Sequence, residues 1–355
     1  MILVATARRL GQSWPVSSRK DLTVKHFALR GGIMFALLSL PVAASAQPKL
    51  TPESQLLSPE DAAAKRKLQP FIHCLNTISN DLSNMVRPYR EMYAAVNKDP
   101  VNGADHSFWN SQYQYSGGFM FRESVMTKEN AAVACANALD AAVKLPPVDP
   151  PLDAVGQGFS ADLRHIDALA PKVEAYFSQK DYRDDKMERG HAFNAEYDPL
   201  LQHLIDDTRR MSAEVQQRYL VQDRHRLDAI ERLDGRHMRW EANAFMLQAR
   251  TSLNELTALA AKRALTKDAV LAQVTPLEDR FKEAGDYAAA HPEENNDDMD
   301  LWSRILDYAT SMVTAAKEAR RDAVDPHTIT RVSDHVGTMR YQFGNLIGQA
   351  NISHR

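Results

Sequence analysis

From Leu68 to the end of the chain, apolar side chains recur at steps of three and four, the spacing of one face of an α-helix. Phe71, Leu75, Ile78, Leu82, Met85, Tyr89 and Val96 make the first stripe, bordered by Cys74. Pro88 is expected to kink this helix or end it early. Ala132, Cys135, Leu139 and Val143 make the second, closed by Pro146-Pro147 and Pro150-Pro151. Further stripes run from Phe159 to Tyr176, from Phe193 to Tyr219, and from Leu227 through Trp240 to about Ala264. The last three run from Val270 to Ala284, from Leu301 to Ala315 and from Ile329 to Leu346. Strand-like alternation is nearly absent.

This pattern predicts an all-α fold, an elongated multi-helix bundle with coiled-coil-like packing over residues 68–353. It divides into an N-terminal hairpin, 68–146, and a main bundle, 149–353. Several Asp and Asn residues stand where an N-cap should accept the free N–H groups of a first helical turn. Residues 47–67, with Pro48, Pro52 and Pro59 among polar residues and Ala, have no periodic apolar face and are expected to form a flexible tether.

Gly31 to Ala46 is apolar in a different way. It follows Lys25, His26 and Arg30 and ends in Ala44-Ser45-Ala46, the arrangement of a signal peptide cleaved after Ala46. Its apolar core falls short of the ~20 residues of a spanning helix. The expected product is a periplasmic or secreted protein with no stable membrane span. Residues 1–46 hold six of the 43 basic and one of the 46 acidic residues, so the remainder carries a net charge of −8. That balance argues against nucleic acid as a partner. Export also changes how the only two cysteines, Cys74 and Cys135, are read. In an oxidising compartment they form a structural disulfide, and an antiparallel pairing of the first two helices would bring them together.

Three clusters invite functional readings. His106 to Glu123 packs aromatic rings around Gly117-Gly118. These rings are expected to fold under the loop as a satellite core, yet the segment is also the best binding-site candidate, with Trp109, Tyr113 and Tyr115 offering flat faces to a glycan or small ligand. Tyr176 to Gly190 concentrates Asp181, Asp184, Asp185 and Glu188, but interleaved Lys and Arg neutralise them, and a helix start explains them. Neither this segment nor Asn295 to Asp300 has the spacing of a Ca²⁺ loop, and His191, His203, His225 and His237 lie too far apart for a zinc motif. Arg209 to Arg239 alternates in sign, as a solvated helix face does. No metal, cofactor or catalytic residue is expected.

Tyr176, Lys180, Asp181, Tyr182, Asp184, Asp185 and Gly190, and less sharply Phe71 to Asn76, resemble the YiiG-like family of exported bacterial proteins, a domain of uncharacterised function often carried on lipoproteins. This chain has no Cys at the cleavage point to carry a lipid. The resemblance implies a helical envelope protein and brings no catalytic residues. The reading is therefore of an exported, non-enzymatic binding or scaffolding protein whose partner is an envelope protein or ligand. The alternatives are a glycan or small-ligand binder using loop 106–123, and a partner-binding protein using an apolar groove between helices.

Overall fold

The computed structural model describes residues 50–103, 130–294, 301–325 and 327–352, and among these all regular structure is helical. The helices are α1 (Glu53–Leu56), α2 (Pro59–Lys98), α3 (Ala131–Ala142), α4 (Pro150–Ser178), α5 (Glu188–Leu233), α6 (Met238–Ala261), α7 (Lys267–Ala290), α8 (Leu301–Val324) and α9 (Val332–Ile352). No helix among the described residues is long and apolar enough to cross a membrane. Residues 1–46, expected to be a signal peptide, lie outside the described residues.

The predicted stripes point inward. Phe71, Cys74, Ile78 and Tyr89 of α2 pack with Leu139 of α3, Phe159 and Ile166 of α4, and Tyr197 and Leu204 of α5 in one continuous core. Each of these four helices touches the next around a closed ring, which is a four-helix bundle. The second core belongs to α6, α7, α8 and α9, with Phe245, Trp302, Met312 and Met339 near its centre. Burial thus divides within α5, beyond Val215, and the predicted hairpin 68–146 shares its core with α4 and the front of α5. At 46 residues α5 is about 69 Å long at 1.5 Å per residue, enough to serve both bundles.

The cysteines meet as expected. Cys74 and Cys135 are buried, with Cα atoms 5.3 Å apart and their sulfurs at disulfide distance. Lys67 lies beside Leu145 and Cys74 beside Cys135, so α2 and α3 run antiparallel.

Three expectations of the sequence are corrected. The tether is largely absent, since α2 starts at Pro59, where the Ser58 hydroxyl accepts the Asp61 N–H at 3.0 Å and caps the helix. Lys67, inside the supposed tether, is buried. Pro88 does not end α2, which continues to Lys98 with Pro70 and Pro88 both inside it, its apolar face held by the bundle core. The stripe from Leu227 to Leu247 is two helices. The chain turns at Asp234-Gly235, where Gly235 has φ of +84° and donates to the Ile230 and Glu231 carbonyls, a left-handed helix end that suits glycine.

One close approach locks α4 to its neighbours. A Cβ on Gly156 would lie 2.7 Å from Cε1 of Phe71 and 3.3 Å from Cγ1 of Val143. Gly156→Ala should therefore cost about 1–3 kcal/mol through overpacking, read as a lowered urea midpoint.

Asp149 caps α4 and also ties it to α5, accepting from Nε of Arg218 at 2.7 Å and from Nη2 at 2.5 Å. Those hydrogen bonds from Arg218 hold its carboxyl below the ordinary value of 3.8, against the opposing effect of burial. A depressed pKa contributes stability that is fully present above the unfolded value and is lost as pH falls through the lower folded one. Asp149→Asn should consequently lower the urea midpoint at pH 7. The gap between the variant and the parent should close as the pH is taken below 3.8.

Candidate functional site

The acidic segment of the sequence folds into the turn between α4 and α5. Tyr176 donates its hydroxyl to Oδ1 of Asp185 at 2.8 Å, and the same oxygen accepts the Met187 N–H at 3.1 Å. Arg189 donates Nε to Asp185 at 2.9 Å and Nη2 to Asp181 at 3.0 Å, its guanidinium 5.1 Å from the centre of the Tyr176 ring. Lys180, Lys186 and Met187 have positive φ, which the turn imposes. A Cβ on Gly190 would lie 2.9 Å from Sδ and Cε of Met187 and 3.1 Å from Tyr176. Asp181 and Asp185 therefore work as hydrogen-bond and ion-pair partners within the turn. The histidines go separate ways: His191 pairs with Tyr93, His225 with Asp61 and His237 with Glu294.

His291, Glu293 and Glu294 bring ligand atoms within 4.8 Å of one another, a short-range arrangement that His291-Pro292-Glu293-Glu294 makes legible in hindsight. Glu294 is already engaged there. It accepts from Met238 N–H at 2.9 Å, lies 3.0 Å from Nδ1 of His237 and accepts the Tyr287 hydroxyl at 3.1 Å, tying the start of α6 to the end of α7.

Trp109, Tyr113 and Tyr115 lie outside the described residues. A candidate site among the described residues is a groove of about 1110 Å³ built where segment 50–57 and α2 meet α5, α6, α8 and α9. Segment 50–57 is pinned across it. The Thr51 N–H donates to Asp234 at 2.9 Å, and the Thr51 carbonyl accepts from Arg239 at 2.5 Å. Burial would raise the Asp234 carboxyl, yet hydrogen bonds from Thr51 and the charge of Arg239 hold it below the ordinary value. Glu53 accepts from both Arg226, at 2.6 Å, and Arg239, at 2.7 Å. Leu56 is buried with Ala229 and Ile230 of α5.

The groove mixes charge and apolar surface. Lys65, Arg226, Arg239, Arg250 and Arg304 line it against only Glu53 and Asp223, in a chain of net charge −3. Arg250 is 9% exposed, and its guanidinium lies 5.1 Å from the ring centres of both Tyr219 and Phe343. Its Nε donates to Asp223 at 2.7 Å and Nη1 to Gln216 at 3.3 Å, while Nη2 has no partner among the described residues. Nε2 of Gln222 and Nε of Arg226 are buried and likewise lack an acceptor among the described residues. Leu57, Met246, Leu247, Phe343 and Ile347 supply the apolar lining.

The sequence does not reveal this groove. Arg226 and Arg239 lie in the stretch expected to be a solvated face paired along its own helix. Arg209 and Arg210 do pair with Asp206 and Asp207, and Arg218 with Glu214 one turn before it, but Arg218 also reaches Asp149, and Arg226 and Arg239 reach Glu53, far away in the chain. One signal was available: Arg250 directly follows Ala249 on the buried stripe that continues to Leu253, a place where a charge needs a purpose.

The pattern of one protein family, described as "Protein of unknown function (DUF3829)", matches residues 62–337. No curated protein and no solved structure matches the chain.

Proposed function

We propose that this chain, which belongs to the DUF3829 family, works as an exported, non-enzymatic binding protein of the bacterial cell envelope, with the groove beside α5 and α6 as its site. The observation that carries the reading is the lining itself: a buried arginine held between two aromatic rings, cations in excess, and apolar walls in one concavity. A volume near 1110 Å³ suits a small molecule or a short extended segment. Export is supported by the pattern at 31–46, by the paired cysteines, and by the resemblance of Tyr176 to Gly190 to YiiG-like exported proteins.

A photo-crosslinking residue at position 243, in the groove lining, tests the reading in the native envelope. A discrete adduct should form there and not at exposed Val148. Equal labelling at both positions, or none at 243, would overturn it. An adduct formed at position 113 instead would transfer the site to the aromatic loop.

A further inference from the structure

The groove's chemistry narrows what it takes, on the premise that it is the binding site. We infer that its ligand is a free single-chain amphiphile with an anionic head, of the fatty-acid type.

Charge argues for the head. The lining carries three more cations than anions, although the chain as a whole is acidic. Both acids are already committed, Glu53 to two arginines and Asp223 to Arg250. What remains on the donor side is Nη2 of Arg250, which has no acceptor among the described residues. A lining with this excess of positive charge favours a ligand that brings acceptors, and a negative group gains most because hydrogen bonds to charged groups are the stronger ones. Lys65, exposed at the rim and without an ion pair among the described residues, adds long-range attraction.

The walls argue for the tail. Met246, Phe343 and Ile347 continue the second core outward into the groove, where Leu247 joins them in the lining, and apolar surface there gains about 25 cal/mol per Å² when a chain covers it. A bare inorganic anion would leave that wall wet, and a neutral sugar would leave the lining's excess of positive charge unbalanced. An alkyl chain ending in a carboxylate answers both.

The test uses the full-length chain and three probes below their micelle concentrations: dodecanoate, dodecyl maltoside with the same tail and no charge, and acetate with the head alone. Isothermal titration should show saturable dodecanoate binding at least about tenfold tighter than either control, the worth of one charged hydrogen bond. Lys65→Gln combined with Arg304→Gln should weaken it by a further tenfold or so. If that variant melts lower, the parent protein decides, because its dodecanoate affinity must fall as ionic strength rises. Maltoside binding as tightly as dodecanoate would overturn the anionic head and leave the groove a binding site. No binding of any probe, with the crosslink at position 243 intact, would overturn the amphiphile while the binding role stands. Loss of both would end both.

Discussion

Replacing Lys67 with Met should destabilise the first bundle by about 3–5 kcal/mol, the cost of leaving a buried charge and its acceptors unpaired. Lys67 is 1% exposed. Its ammonium donates to the carbonyls of Leu145 at 3.0 Å and Pro147 at 2.8 Å, and to Asp153 at 2.9 Å. It therefore ties α2 to the connection between α3 and α4, where the backbone has no helical partner of its own. Methionine fills the volume of the stem but donates nothing, so the half-buried Asp153 and both carbonyls lose the ammonium that joined them. Urea denaturation reads the loss as a lowered midpoint at unchanged slope. Adding Asp153→Leu should recover part of it, because no lone carboxylate then remains inside. A loss below about 1 kcal/mol for Lys67→Met would show that solvent reaches this clamp.

Removing the cross-link should cost nearly as much. Cys74 and Cys135 are 61 residues apart in sequence, and closing a loop of that size stabilises by ~4 kcal/mol in the chain-entropy model. Replacing both cysteines with alanine should lower the thermal midpoint of the first bundle by on the order of 10 °C. The effect belongs to one core. Amides of α2 and α3 should lose hydrogen-exchange protection while those of α7 and α8, which pack in the other cluster, keep theirs. Alkylation of the purified protein before reduction should label neither cysteine. Two labelled thiols would remove the cross-link from the account and with it the expected loss.

The apolar periodicity made the helices legible, because each stripe from Phe71 to Leu346 is buried by the same face that carries it. The cysteine pair was legible for the same reason, since both residues fall on such stripes. Punctuation was harder. Pro88 reads as a kink or an end, but a helix whose apolar face is packed on both sides of the proline continues through it. The Asp234-Gly235 turn was hidden by a stripe that happens to stay in phase across it. The groove was least legible. Glu53 meets Arg226 and Arg239 across 173 and 186 residues, and no local pattern encodes a contact of that span. Segment 50–57 looked like a tether because its few apolar residues serve another helix, as Leu56 does against Ile230, and so show no period of their own.

Native mass spectrometry of the protein isolated from its own envelope tests the central claim most directly, that the groove holds a ligand. The parent should carry a discrete non-covalent adduct of small mass. A variant with Lys65→Gln and Arg304→Gln, folded to the same extent by circular dichroism, should lose most of it. The same adduct at equal occupancy in both proteins, or none in either, would contradict the account.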